Sequence, residues 1–434
     1  MSIDLLCVAA TSGLPLFTRR ADLRFIKNDN GLSKKIPDRD MDGEDGSNEL
    51  ISINTITTLY GINLFSRMNE CELQTTGNGR TRIHWKVFNE NLIIIVIITD
   101  IDSIIDDREV NCLLNMTYNS LVMMCGSAHM TDTNLERLKR RIKISFPLID
   151  YILNCFTSNG IDRLEMVSKC SNYAIACRTS YISSLPNSIT QMASNNYCAI
   201  FVHGKLLSAS KDWWSQLSIK CNDSLLIACL LKSTYMNDLI QSKEIAIYLP
   251  DTSPTKMSRL VFSPITKGVI LCMVCNEHGP SLEYIDDQIL VPLNDLKLQE
   301  DKFSKYIFEL RETKHISNDT FVNILGKHNV PLIKTLLGFI IFNRYQQIYF
   351  VFNEQLIEDY SNEICTFCRL NRSNVSTITN AHLSLEQVNM YRAVGNRSII
   401  YCLLFEPSQS LKQLHVNTMT LVEAFTKAKH FWPN

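Results

Sequence analysis

No charge of one sign dominates this chain. Its 434 residues carry 43 Lys and Arg against 44 Asp and Glu, a formal net charge of -1. A phosphate backbone needs a basic face, so the composition points away from nucleic acid. Long apolar runs are also missing. The longest, such as Leu92 to Ile98 and Leu225 to Leu231, fall far below the roughly 20 residues of a membrane-spanning helix. The start, Met1-Ser2-Ile3-Asp4, has no basic segment ahead of its apolar run, so no secretory signal is expected. Enzyme motifs are absent too. There is no Gly-rich loop followed by Lys-Ser/Thr, no Gly-x-Ser-x-Gly elbow and no His-Glu-x-x-His pair. Nucleotide binding through a P-loop is not expected, and no residue stands out as catalytic.

The cysteines number 15, an odd count, and are scattered. Without a secretory signal they read as reduced, buried, cytosolic thiols. Two Cys-x-x-Cys pairs, Cys272/Cys275 and Cys365/Cys368, have the spacing of half a zinc site. The first pair sits in a strand-like run, where residues three apart face opposite sides. The second could share a helix face but has no companion pair nearby in sequence. Both pairs are assigned to core packing, and the histidines show no metal spacing. No metal and no other cofactor is expected.

What is present is an ordinary globular composition, 45% hydrophobic and 20% charged. The length suggests about three domains at roughly 150 residues each. The chain opens on a hairpin: Leu5 to Ala10 is apolar, Thr11-Ser12-Gly13 turns, and Leu14 to Phe17 resumes. Apolar on both faces, the first strand is expected to lie centrally. Pro15 cannot donate to a ladder, so the second strand is expected at an edge.

Residues 28–48 are polar and read as a solvated acidic loop. Ser47-Asn48 can cap a helix over Leu50 to Tyr60, with Gly61 at its left-handed end. Ile62 to Arg67 and Cys71 to Thr75 then read as extended. Arg82 to Phe88 alternates, with Ile83, Trp85 and Val87 on one face and Arg82, His84 and Lys86 on the other. Leu92 to Thr99 is a second central strand. Two helices follow, on the stripes Val110, Leu113, Leu114, Thr117, Leu121, Met124 and Leu135, Leu138, Ile142, Phe146, Ile149. Pro147 is expected to kink or split the second.

The same plan returns twice. Residues 158–196 read as a connector with one short helix. Cys198 to Ser210 forms a hairpin across His203-Gly204, and a helix from Asp212 to Leu231 breaks near Asn222. Glu244 to Leu249, Arg259 to Phe262 and Val269 to Cys275 are strands, and Tyr284 to Leu298 is a helix. In the third copy, Phe303 to Arg311 and Glu354 to Arg372 read as helices. Thr335 to Phe342, Gln347 to Phe352, Gln387 to Val394 and Ser398 to Phe405 read as strands, and a final helix starts near Leu411. The expected domains are 1–157, 197–300 and 301–434, with the connector between the first two. The fold class is α+β, three antiparallel sheets of about five strands each, sandwiched by helices.

Strand, strand, helix, three strands, then helices is the order of the longin family, and Arg82 to Asp100 is similar to the longin fourth and fifth strands. A closer resemblance lies in Leu5-Leu-Cys-Val-Ala-Ala-Thr-Ser-Gly-Leu-Pro-Leu-Phe17, Trp85-Lys86, Leu135-Glu-Arg-Leu-Lys139 and Gly204-Lys-Leu-Leu-Ser-Ala-Ser-Lys-Asp-Trp-Trp214. Tyr248-Leu-Pro250, Ser253-Pro254 and Leu271-Cys-Met-Val-Cys275 add to it. These segments resemble the Fuzzy planar cell polarity effector family. The acidic loop is longer than that family's pattern.

The resemblance implies three longin domains and pairing with an Inturned-type longin protein. It implies assembly with a Fritz-type WD-repeat protein and action on a Rab-like small GTPase, by exchange or recruitment. The setting it implies is cytoplasmic, at the cilium base or apical cell edge. A non-catalytic scaffold and a coat or adaptor subunit are alternatives. By the same analogy the first longin domains of two partners pair. That puts the expected partner contacts at Tyr60, Leu64, Phe65, Met68 and Trp85, residues that also suit ordinary core. Arg137, Lys139, Arg140, Arg141 and Lys143 form a basic run. It suits a solvated helix face, or an anionic membrane surface at about 1 kcal/mol per basic residue. Trp213-Trp214 suits core, or a partner hot spot.

Overall fold

The first hairpin settles at one side of a five-stranded antiparallel sheet. In the computed structural model β1 (Ser2–Ala9) pairs on one side with β2 (Pro15–Asp22) and on the other with Leu92–Thr99. The residues described are 2–22, 51–99, 105–158, 160–168, 170–172, 187, 189, 197–202, 204–218, 221–234, 241–266, 269–277, 279–285, 287, 334–343, 348–369, 380–394 and 399–427. The expected acidic loop 28–48, its cap at Ser47-Asn48 and the helix at Phe303 to Arg311 lie outside them.

After α1 (Ile53–Met68) come β3 (Thr75–Gly77), β4 (Thr81–Phe88) and β5 (Leu92–Thr99). The sheet order is β2-β1-β5-β4-β3. Both central strands are buried on both faces, and their β-branched side chains suit such a position. Leu6, Val8, Trp85, Ile93, Ile95 and Ile97 share one face with Ile56 and Leu59 of α1. The polar face of β4 is turned toward α2 and is partly covered by it. Lys86 donates to Asn115 at 2.8 Å, and Arg82 reaches Asp107 at 3.3 Å, both on this helix, α2 (Asp107–Cys125).

The helix after α2 divides as the proline requires. α3 (Leu135–Ile142) ends in a tight turn, and α4 (Phe146–Thr157) restarts with Pro147 in its first turn, where a missing N–H is harmless. α5 (Ile161–Ser168) and the two-residue β6 (Ser171–Asn172) occupy the connector. The second sheet holds β7 (Tyr197–Val202), β8 (Lys205–Ala209), β9 (Lys243–Leu249), β10 (Ser253–Thr266) and β11 (Val269–Cys275), in the order β8-β7-β11-β10-β9. A wide helical turn, Trp213–Ser218, precedes α6 (Asp223–Thr234). Leu282–Ile285 is a short helix, and apart from residue 287 the rest of the one expected to Leu298 lies outside the described residues.

The third sheet contains β12 (Leu336–Asn343), β13 (Ile348–Phe352), β14 (Asn380–Ser384), β15 (Asn389–Val394) and β16 (Ile399–Phe405). α7 (Glu354–Asp359) and α8 (Ser361–Arg369) replace the single helix expected there, and α9 (Leu411–Lys427) closes the chain. The order is β14-β15-β16-β12-β13, with β6 added in parallel beyond β13. Numbered within its own unit, each sheet therefore runs 2-1-5-4-3. One body comprises Met1–Tyr118 and Met130–Arg141, with the first sheet. The other comprises Asn119–His129 and Ile142–Asn434, with the second and third.

The first helix corrects the sequence reading. It runs through Gly61 to Met68, so Ile62 to Arg67 is helical rather than extended. Ser52 is its N-cap, with Oγ accepting from Thr55 N at 3.2 Å. Gly61 has open space where a Cβ would be. Glycine costs a helix about 1 kcal/mol without ending it.

Candidate partner-docking surface

The α1 surface is unusual in what it shows to solvent. Ile56, Leu59 and Asn63, at helical spacing, are buried against the first sheet. On the outside stand Ile53 at 75% exposure, Phe65 at 71% and Met68 at 76%, with Ile62 and Leu64 also exposed. A surface helix ordinarily carries charge on its outer side. Arg67 is the one charged residue between Ile53 and Met68. Leu64, Phe65 and Met68 are neighbours at spacings of one, three and four, and Ile62 lies three before Phe65. They make one apolar patch at the C-terminal half of the helix.

That half is held rigidly. Asn69 N and its Nδ2 both donate to the Phe65 carbonyl, at 3.3 and 2.7 Å. The Ser66 hydroxyl donates to Cys71 O at 2.8 Å, and Glu70 turns the chain at φ 55°. Upstream, the Tyr60 hydroxyl donates to Ala10 O at 3.1 Å, which ties the helix to the first hairpin. Gly13, at φ +71°, lies against the Tyr60 ring: a Cβ there would sit 2.7 Å from Cγ and Cε1. The neighbouring strand β2 is paired on its β1 side alone among the described residues, so its outer backbone groups form an open edge.

The expected contacts therefore divide. Leu64, Phe65 and Met68 are on the surface. Tyr60 is half-buried and acts as a strut. Trp85 is 3% exposed, packed under α1 in the core, and is out of a partner's reach. Its place follows from β4 alternation, since Trp85 shares the face of Ile83 and Val87. Ile53 faces out, while Ile56 and Leu59 turn inward onto the sheet. Asn63 was not anticipated. It is 1% exposed, and its amide oxygen has no partner among the described residues.

Of the basic run, Arg137 lies 3.8 Å from Asp132 and Lys139 3.5 Å from Glu136. Arg140 and Lys143 are exposed and Arg141 is half-buried. Trp213 and Trp214 are core: Trp213 donates from Nε1 to Ser224 at 2.9 Å and meets the Phe201 ring edge-on.

Little here suggests bond-making chemistry. Burial pushes the thiols of Cys7, Cys198 and Cys272 up, and that of Cys275 to about 11, so they are poor nucleophiles. Burial lowers the His84 imidazole, against the pull of Asp107. No three His, Cys, Asp or Glu side chains converge as a metal site among the described residues. None of the described helices is long and apolar enough to cross a membrane.

Comparison with known proteins bears on the family and the fold. Residues 4–152 match a family described as the first longin domain of FUZ, MON1 and HPS1, and residues 193–290 match the second. The chain is 24% identical to "Protein fuzzy homolog" of Xenopus tropicalis over 345 residues, 79% of this chain and 70% of that protein. Against "Protein fuzzy homolog" of Homo sapiens it is 23% identical over 290 residues, 67% of this chain and 61% of the relative. The Mus musculus protein of that name is similar at 23% over 289 residues. The third sheet lies beyond both family matches and carries the same 2-1-5-4-3 order.

Proposed function

The chain belongs to the Fuzzy family of longin proteins, and on that premise we propose that it is a non-catalytic docking subunit. It pairs through α1 and the β2 edge with an Inturned-type longin protein, and the pair engages a Rab-like small GTPase. A Fritz-type WD-repeat protein joins the assembly. The setting is membrane traffic at the cilium base or apical cell edge, in ciliogenesis and planar polarity. The exposed positions of the basic run, Arg140 and Lys143, favour an anionic surface.

The observation that carries the reading is the uncharged, solvent-facing apolar patch Ile62, Leu64, Phe65 and Met68 on α1, in a unit whose sheet has an open β2 edge. An apolar patch of this kind is relieved by a partner, and an open edge accepts a strand. Nucleotide exchange needs no acid or base. It needs tighter binding of the nucleotide-free GTPase than of the loaded one, and that difference shifts the population.

The test is GDP release from candidate Rab GTPases in the presence of the purified pair. Acceleration that is lost in Phe65→Glu/Met68→Glu, with the fold intact, supports exchange through this surface. Binding of the GTP form with no acceleration overturns exchange and leaves the scaffold role. Recovery of coat subunits with the chain favours the adaptor role.

A further inference from the structure

The connector helix α5 is the least connector-like part of the molecule. Ile161 and Leu164 are buried in one cluster with Ile340, Phe342, Tyr349, Ile357 and Ile364, the core of the third sheet. Arg163 donates to Asn362 of α8 at 2.9 Å. Directly after α5, β6 pairs in parallel with β13 through Ser171↔Ile348 and Asn172↔Tyr349. A segment that precedes the second sheet in sequence thus supplies core and an edge strand to the third.

At its centre is Glu165, 2% exposed. One carboxylate oxygen accepts from Lys232 Nζ of α6 at 2.7 Å; the other accepts from the Tyr349 hydroxyl of β13 at 2.9 Å. Asp162 lies 4.0 Å from the same ammonium. Burial works against the Lys232 charge, yet Glu165 and Asp162 hold it above the ordinary lysine range. Lys232 reaches this position over Gly204. That residue has φ +75°, and a Cβ on it would lie 2.7 Å from Lys232 Cγ. One side chain is therefore clamped from both directions, by the helix after the second hairpin and by the second strand of the third sheet.

We propose that Glu165 is the joint that fastens the second and third longin units into one rigid body, with residues 160–172 bridging the two. A buried ion pair adds little net stability over an apolar replacement but is strongly destabilising when one partner is lost, which suits a joint that admits one geometry. Part of the β13 edge, the counterpart of the open β2 edge, is then taken internally by β6.

The experiment is amide hydrogen exchange on the full chain, comparing Glu165→Gln and Tyr349→Phe with the parent. Tyr349→Phe removes a single hydroxyl and keeps the fold if the carboxylate variant does not. Exchange in β12 and β13 should rise, by about tenfold or more for Glu165→Gln and severalfold for Tyr349→Phe, while β1 and β5 stay protected. Unchanged protection of β13 in the variants that fold overturns the proposal. So does a uniform loss across all three sheets, which marks a general stability effect rather than a joint.

Discussion

Gly13→Ala probes the link between the first hairpin and the docking helix. The glycine sits at φ +71°, where an L side chain costs about 1–2 kcal/mol. The new methyl would also overlap the Tyr60 ring, with Cγ and Cε1 both at 2.7 Å. Tyr60 cannot swing away freely, because its hydroxyl is bonded to Ala10 O. Overpacking at a closed contact costs about 1–3 kcal/mol, so the sum is about 2–5 kcal/mol. Hydrogen exchange of the β1 amides reads this locally, without assuming that the whole chain unfolds in one step. In a Tyr60→Ala background the clash is gone, and Gly13→Ala should cost only the backbone part, about 1–2 kcal/mol. A cost below about 0.5 kcal/mol, within the usual range of surface substitutions, would refute the reasoning. So would an identical cost in both backgrounds, since the two residues would then not be in contact.

Phe65→Glu/Met68→Glu should change the thermal midpoint little, because both side chains are mostly in water; a stability change beyond about 1 kcal/mol would mean the helix is packed on that side. Glu90→Gly should stabilise by about 1 kcal/mol in chemical denaturation, since Asn89 and Glu90 both have positive φ (48° and 61°), and Asn-Gly is the favoured pair for such a turn. Asp223 gives a pH dependence. Burial pushes its carboxyl up to about 6, against hydrogen bonds from Thr252 and Asp251 that favour the charge. A folded-state value above the unfolded one means the folded chain holds the proton more tightly. The contribution is full below about pH 4 and is lost as pH rises through about 6, a change of about 3 kcal/mol. Asp223→Asn should flatten that part of the stability profile, and a slope identical to the parent's between pH 4 and 6 would contradict the assignment.

The sequence by itself determined the repeating units and most of their strands. The runs Leu92 to Thr99, Val269 to Cys275 and Ile399 to Phe405 can be read without coordinates, because a strand covered on both faces must be apolar at every position. Pro15 placed β2 at an edge for an equally local reason. Local signals failed where the outcome depended on neighbours. Gly61 looked like a helix stop, and the helix ran past it because nothing nearby demanded a turn. β14 is short, half-exposed and only weakly apolar, and it forms because β15 offers it an edge. Trp85 looked like a contact residue until α1 covered it. The docking helix shows the division most clearly. Its residues are apolar on several sides, so composition could not say which side was buried. That was decided by where Tyr60 meets the first hairpin, a contact between residues 50 positions apart. Glu165 depends on the fold even more, since its partners lie 67 and 184 positions away and only folding brings their charges and hydroxyl to one carboxylate.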